Sequence, residues 1–104
     1  MVIYNVTSRI ESSIEKKWLV WMKEKHIPEK LITKSYKAAK IFKIISENDK
    51  GGISYVTQYH CDDKKSLQQY INDYGAKLRN DTLNKFGDLI LPFRTELELI
   101  EKHP

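Results

Sequence analysis

Residues 15–28 read EKKWLVWMKEKHIP, and this stretch organises the rest of the chain. Together with Ile14 just before it, four of its residues follow the i, i+4, i+7, i+8, i+11 spacing of one helical stripe, namely Trp18, Trp21, Met22 and Lys25. Each buried tryptophan removes roughly 150–250 Å² from water, so the pair should anchor the core. Ser12 and Glu15 match a capping box that starts the helix. Pro28 should end it near His26 and open a short separate turn, because the residue before a proline avoids helical geometry.

Four other segments have the alternation and the β-branched content of strands. They are Val2–Arg9, Tyr36–Ser46, Ile53–Cys61 and Leu89–Ile100. The second segment also fits a helix, but residues 48–52 (NDKGG) read as a hairpin loop before a clear strand, which favours the extended form. Pro92 indicates that the last segment is an edge strand or contains a bulge.

A second helix is expected between the third and fourth strands. Asp62 or Asp63 should cap its start. Helical spacing then relates Leu67, Tyr70, Ile71 and Tyr74. Gly75 should interrupt this helix, and a further helical piece, Ala76–Phe86, should end at Gly87, in the favoured position just past a helix.

The resulting order, β-α-β-β-α-β, predicts one α+β domain of the ferredoxin-like type over residues 1–104. Two helices would cover one face of a four-stranded antiparallel sheet. The more apolar set of strand residues is expected on the helix side: Val2, Tyr4, Val6, Phe42, Ile44, Tyr55, Tyr59, Leu91, Phe93, Leu97 and Leu99. The opposite face still carries Ile3, Ile41, Ile45, Val56, Ile90 and Ile100. A second copy should bury that face, which gives a homodimer packed sheet to sheet.

Composition limits the classes of function. The chain is 40% hydrophobic and 31% charged, as in an ordinary globular domain, and has no apolar run long enough for a membrane helix. Its start lacks the pattern of a secretion signal. Its single cysteine, Cys61, excludes an internal disulfide and a cysteine-based zinc site. These features favour the cytoplasm, and neither the histidine spacing nor any motif predicts a metal or a cofactor.

Lysine is concentrated in one part of the chain. Residues 16–50 hold ten lysines against four acidic residues. Such an excess is compatible with nucleic acid or another polyanion as a partner. However, the chain has only three arginines, which are the better residues for phosphate. Scattered lysines are more typical of a solvated surface, so nucleic acid is not the favoured partner.

His26 is the first candidate for a site. The topology brings the end of its helix to the same end of the sheet as Tyr4, Tyr36 and Tyr59. One imidazole beside several phenols suits a small polar or aromatic ligand, or proton transfer near neutral pH. The structural alternative is that His26 satisfies carbonyls at a helix end and that the tyrosines belong to the core. Both interpretations stay open at this point.

A second candidate set lies on the opposite face of the predicted sheet. It comprises Asn5, Gln58, His60 and Arg94. These residues come from three neighbouring strands and should meet at the seam of the dimer. Polar groups buried there need hydrogen-bond partners. A network that fixes the register of the two subunits is therefore favoured over a binding site.

The motif Trp18-x-x-Trp21-Met22-x-x-x-His26-Ile27-Pro28 resembles that of a small bacterial family known only as a domain of unknown function. The similarity covers nearly the whole length, including residues 1–6 (MVIYNV) and 93–95 (FRT). More distantly, the His-x-Pro after an aromatic helix is similar to dimeric α+β barrel proteins of the EthD and antibiotic-biosynthesis monooxygenase types. Members of those groups bind small molecules between sheet and helices. The resemblance implies a paired, barrel-like fold, with His26 as the one matching motif position.

Three functions follow from these features. The favoured one is a homodimeric module that binds a small ligand without catalysis. The alternative is a cofactor-independent enzyme of the monooxygenase or isomerase kind, with His26 as acid/base and Tyr4 or Tyr59 orienting the substrate. The third is weak polyanion binding through residues 16–50.

Overall fold

The structure, a computed structural model, describes residues 1–46 and 52–104. Its strands are β1 (Val2–Glu11), β2 (Ala38–Lys43), β3 (Gly52–Cys61) and β4 (Ile90–Glu98). They form one antiparallel sheet in the order β2-β3-β1-β4. The predicted ferredoxin-like fold is confirmed, and Pro92 lies on an edge strand. Of the segment predicted as the second strand, residues 36–46, Ala38–Lys43 form β2, and Tyr36 lies just before it. The predicted hairpin loop falls mainly on residues 47–51, outside the described part of the chain.

The first long helix runs through Pro28, its predicted stop. It consists of α1 (Glu15–Trp21), a π-helical segment (Met22–His26) and α2 (Ile27–Ile32). Ile27 keeps helical dihedral angles, and its N–H bonds to the carbonyl of Met22, five residues back. Pro28 falls in the first turn of α2, directly after this π turn, where the missing N–H of a proline is tolerated. The prediction that the helix ends near His26 is therefore wrong.

The start of this helix also differs from the prediction. A short 3₁₀ helix, Ser12–Ile14, connects β1 to α1, and no side chain caps either helical start. The carboxylate of Glu15 instead accepts a hydrogen bond from the Tyr55 hydroxyl (O–O 2.6 Å) and pairs with the Lys43 ammonium (3.3 Å). Glu15 thus ties α1 to β2 and β3 and forms no capping box.

The second long helix consists of α3 (Lys64–Tyr70), a π-helical segment (Ile71–Gly75) and α4 (Ala76–Phe86). Asp63 caps its start, as predicted, by accepting a hydrogen bond from the Ser66 N–H (2.8 Å). Gly75 does not interrupt it, because the π-helical segment keeps the chain helical there. The predicted end is confirmed, since Gly87 has a φ of 58°, which favours glycine. No helix of the described residues is long and apolar enough to cross a membrane.

In both edge strands, β2 and β4, the side chains that were predicted to face the helices lie on the opposite face of the sheet. In the register, Phe42 pairs with Val56 and Phe93 pairs with Thr7, all on the outer face of the sheet. The same alternation puts these predicted inner residues outside: Phe42, Ile44, Leu91, Phe93, Leu97 and Leu99. Ile41 and Ile90, expected outside, instead pack into the core beneath the helices. Both edge strands are apolar at consecutive positions, so alternation alone does not tell which set faces inward.

The two central strands follow the prediction. Val2, Tyr4 and Val6 of β1 are buried against the helices, and so are Tyr55 and Tyr59 of β3. Trp18 is fully buried and packs on Tyr55, with ring centroids 5.0 Å apart. The core therefore lies between the sheet's inner face and the two long helices.

Candidate functional site

A cluster of tyrosines lies on the inner face of the sheet. The predicted Tyr4, Tyr36 and Tyr59 lie together, and Tyr70 of α3 is a fourth member. Ring centroids are 6.4 Å apart for Tyr4 and Tyr36, 5.0 Å for Tyr36 and Tyr59, and 4.6 Å for Tyr36 and Tyr70. All four are buried. Burial raises the pKa of Tyr36 and of Tyr59 well above the usual value of a phenol, so both stay neutral.

Lys30, which the sequence analysis did not single out, lies inside this cluster. Its Nζ is 4.1 Å from the ring centroid of Tyr59, 5.6 Å from that of Tyr4 and 5.9 Å from that of Tyr70. The residue is only 6% exposed. Burial, and then the charges of Arg94 and Arg79, lower the pKa of Lys30 to about 7. A buried lysine of this kind is able to change its charge near neutral pH.

The π-helical segment explains how a lysine reaches the cluster. Trp18, Met22, His26 and Lys30 follow each other at four-residue spacing, and all four line one cavity. In a regular α-helix such a row drifts around the axis, because a turn takes 3.6 residues. A π turn takes more residues and offsets part of that drift. The sequence signal for Lys30 was this four-residue spacing. The predicted stripe contains Trp18 and Met22 but continues to Lys25, and so it misses His26 and Lys30.

His26 is buried in the middle of the first long helix. Its ring stacks on Trp21, with centroids 4.5 Å apart and an angle of 19° between the planes. Burial, followed by the charges of Lys30 and Arg94, lowers the pKa of His26 to about 3. The imidazole is therefore neutral at physiological pH. Because the helix continues past it, His26 is not the cation at a helix end that the structural alternative assumed.

A small cavity lies between the long helices and the sheet. Its volume is about 30 Å³, enough for one or two water-sized groups. Its walls are largely apolar: Val6, Trp18, Met22, Leu78 and Ile90. His26, Lys30 and Tyr59 are among its polar lining residues, whereas Tyr4 and Tyr36 do not line it and pack behind Tyr59.

A larger cleft adjoins the cavity on the side of α4 and β4. It measures about 280 Å³ and shares several residues with the cavity, namely Arg79, Thr82, Ile90, Pro92 and Arg94. Arg79 and Arg94 are largely exposed, whereas Lys30 is buried. The arrangement is therefore a narrow inner chamber with a lysine inside it and two arginines at its mouth.

Arg94 is thus found on the opposite face from its prediction. The register pairs it with Val6, which faces the helices. The reason is the turned-over edge strand β4, whose side chains alternate in the opposite sense to the one expected. Consequently the predicted outer cluster of Asn5, Gln58, His60 and Arg94 does not form as a set.

The other three predicted members do lie on the outer face. Gln58 pairs with Asn5 in the register and donates a hydrogen bond from Nε2 to Asn5 Oδ1 (3.4 Å). His60 pairs with Ile3. Its Nε2 atom is buried and has no hydrogen-bond partner among the described residues. Over residues 1–46 and 52–104, histidine, cysteine and carboxylate side chains form no group of three that could hold a metal ion.

Several solved structures have the same fold. An EthD family protein from Bacillus halodurans C-125 has a TM-score of 0.69 at 17% identity, covering 96% of this chain and 100% of its own. A candidate antibiotic biosynthesis monooxygenase from Deinococcus radiodurans has a TM-score of 0.65 at 15% identity, covering 100% and 97%. A dimeric ferredoxin-like protein from an uncultured marine organism has a TM-score of 0.65 at 12% identity, covering 98% of both chains. At these identities the likeness shows the fold alone.

No curated protein sequence matches this chain. One family does match, over residues 1–100, and its description is "Domain of unknown function (DUF4286)". The matched region contains all four strands, both long helices and every residue of the cavity and the cleft. The resemblance first seen in the tryptophan–histidine–proline motif is confirmed, and the chain belongs to the DUF4286 family.

Proposed function

We propose that this protein is a homodimeric module that binds a small molecule in the cavity around His26. One observation carries the proposal: His26, Lys30 and Tyr59 converge on an inner chamber whose other walls are mainly apolar. Pockets that bind small molecules have this combination of apolar walls and a few convergent polar groups. The adjoining cleft supplies the larger volume that a ligand of several heavy atoms needs.

The predicted site residues would then have two kinds of role. His26 and Tyr59 line the cavity and would contact the ligand directly. Neutral His26 offers one nitrogen that accepts and one that donates a hydrogen bond. Tyr4 and Tyr36 would position Tyr59 and Lys30 from behind, through the ring contacts of the tyrosine cluster.

Self-association is the second part of the proposal. Large apolar side chains are exposed on the outer face of the sheet, among them Phe42 (48% exposed), Leu91 (55%), Phe93 (58%) and Leu97 (41%). Exposed apolar patches of this kind often mark interfaces. A second copy packed on this face would give a dimeric α+β barrel. The dimeric ferredoxin-like protein among the solved structures supports this choice of partner.

The two other functions are less well supported. As a general acid/base, His26 would need a pKa close to the working pH, and its pKa of about 3 is far below that. A monooxygenase- or isomerase-like enzyme would therefore have to use Lys30 for proton transfer. Polyanion binding loses one of its ten lysines to the core, since Lys30 is buried. A cytoplasmic location completes the proposal, in keeping with the single cysteine of the chain.

The test is a titration of the ¹⁵N-labelled protein with benzamide, phenol and benzoate, followed by amide chemical shifts. We expect at least one probe to shift amides beside His26, Tyr59 and Thr82. His26→Gln, which keeps most of the volume of this buried side chain, should weaken that binding while the fold and the dimer are kept. His103→Gln, at an exposed histidine, should have no effect. If no probe shifts these amides, or if His26→Gln loses only stability, the site is not a ligand site.

A further inference from the structure

Three cationic side chains surround the cavity and its mouth, and no acidic side chain accompanies them. Lys30 lines the cavity, while Arg79 and Arg94 line both the cavity and the cleft. Neither lining contains an aspartate or a glutamate. Within the described residues, every ion pair is formed by other side chains. The site therefore has positive charge without an internal counter-ion.

This arrangement is unfavourable for the folded chain on its own. Taking an ammonium group out of water is costly unless an opposite charge lies beside it. The rings of Tyr59, Tyr4 and Tyr70 are the groups around the Lys30 ammonium, and they attract it only weakly. Arg79 and Arg94 add repulsion, as the lowered pKa of Lys30 indicates. A bound anion would relieve both effects at once.

The shape of the site restricts the anion further. The inner chamber of about 30 Å³ has room for one or two water-sized groups, such as the oxygens of a carboxylate, beside the lysine. The cleft of about 280 Å³ lies outward from it, and Leu83, Ile90 and Pro92 make part of its wall apolar. Arginines bind a carboxylate through two parallel hydrogen bonds, and Arg79 and Arg94 are placed at the entrance between the two spaces.

We infer that the ligand of this site is a small organic carboxylate, with its acid group between Lys30 and the two arginines and its apolar body in the cleft along α4 and β4. The inference rests on the proposed function and specifies its ligand. A phosphate group shares the same chemistry of recognition, but inorganic phosphate has no apolar part for the cleft. Its binding is therefore a separate outcome of the test.

The experiment compares three probes by amide shifts and calorimetry on the full chain at pH 6.5 and low salt. Benzoate and benzamide share the ring and differ in charge, and inorganic phosphate carries charge without a ring. We expect benzoate to bind at least about tenfold more tightly than benzamide, as for a charge-assisted hydrogen bond relative to a neutral one. We also expect benzoate to bind more tightly than phosphate.

Two variants test which cationic side chains bind the carboxylate of benzoate. Arg94→Gln should weaken benzoate about tenfold and leave benzamide unchanged, since it removes only the charge-assisted contact. Lys85→Gln, which removes an exposed positive charge of α4 that lines neither the cavity nor the cleft, is the control and should change neither affinity. Lys30→Met is a second variant, and it should also weaken benzoate selectively. Both cavity variants must keep the amide dispersion of the folded protein.

The possible outcomes test the carboxylate ligand separately from the proposed function as a small-molecule binding protein. If benzamide binds the cavity as tightly as benzoate, or Arg94→Gln weakens both equally, the carboxylate inference is wrong and the small-ligand site stands. If phosphate binds more tightly than benzoate, the ligand has no apolar body and the inference is again overturned. If none of the three probes shifts the cavity amides, the inference and the proposed function both fail.

Discussion

The ammonium nitrogen of Lys30 lies 4.1 Å from the centre of the Tyr59 ring, and both residues are buried. A cation over an aromatic face gains about 2 kcal/mol when it is desolvated. Burying an ammonium group without a counter-ion costs several kcal/mol. The cost is larger than the gain, which is why the pKa of Lys30 falls to about 7. The chain thus carries a local instability at the place where we propose that a ligand binds.

Lys30→Met should stabilise the protein, and more so at pH 6 than at pH 9. The pKa of Lys30 is about 7 in the folded chain and 10.5 as an unperturbed lysine, so the unfolded state binds more protons between these values. The stability of the wild type should therefore rise with pH above 7. Between pH 7 and pH 9 the rise amounts to roughly 2–3 kcal/mol from this group. Urea denaturation of both proteins at pH 6 and pH 9 measures the difference.

Other groups also titrate in this range, but they are common to both proteins and cancel in the comparison. Cys61 is one of them, because its thiol has a pKa of 9.0 when unperturbed and of about 11 when buried, so the unfolded state starts to lose this proton near pH 9. Lys102→Met, at an exposed lysine, serves as the control and should leave the pH dependence unchanged. An equal free energy difference between wild type and Lys30→Met at both pH values would show that Lys30 is not buried as a titrating group.

His26 should make the protein less stable in acid. Its pKa is about 3 when folded and 6.5 as an unperturbed histidine, so the unfolded state takes up a proton first as the pH falls. The full stability is present above pH 6.5 and is lost progressively down to pH 3. Between pH 6.5 and pH 5 the loss is roughly 2 kcal/mol. His26→Gln should remove this part of the slope in urea denaturation, and His103→Gln should not. If the unfolding free energy of His26→Gln falls with pH as steeply as that of the wild type, the acid sensitivity comes from other groups.

Some parts of the fold were predictable from the sequence because local and tertiary preferences agree there. In β3 the residues alternate cleanly, so that Tyr55 and Tyr59 were placed on the correct face. In β4 the run Ile90-Leu-Pro-Phe93 is apolar at every position, and only pairing with β1 decides which side faces inward. Because the inward-facing set of β4 is the opposite of the predicted one, Arg94 lies at the mouth of the cavity and not in the predicted outer cluster.

The candidate site was predictable only in part, for a related reason. The topology alone brings His26 and the tyrosines to the same end of the sheet. Lys30 was missed because a proline two residues earlier argues for the end of the helix. The π-helical segment overrides that local rule and carries the helix on through Lys30. Such a segment depends on packing against the sheet, which no local sequence rule includes.

The affinity for benzoate should fall as the pH rises from 6 to 8.5. Lys30 loses its charge in this interval, whereas His26 is neutral throughout. The charged and titratable groups that face Lys30 are Arg79 from α4, Arg94 from β4, Tyr4, Tyr59 and Tyr70. Burial raises the pKa of Tyr59 and of Tyr70 above the usual value of a phenol, so both stay neutral over this range. We expect a loss of up to about tenfold in affinity, measured by calorimetry.

Lys30→Met should bind benzoate with a weaker affinity that does not change with pH. A wild-type affinity that does not change with pH would contradict the assigned role of Lys30.

Phe93→Asp should dissociate the dimer that we propose. Phe93 is 58% exposed on the outer face and lies in one row with Phe42, Val56 and Thr7. A carboxylate buried without a counter-ion in an apolar interface is strongly unfavourable. The wild type should have twice the 12.3 kDa mass of one chain in light scattering at micromolar concentration, and Phe93→Asp should have the mass of one chain. Ile32→Asp is the control, because Ile32 is 77% exposed but belongs to α2, on the helix side of the sheet. A monomeric wild type, or a control that dissociates to the same extent, would mean that the outer face of the sheet is not the surface through which two copies meet.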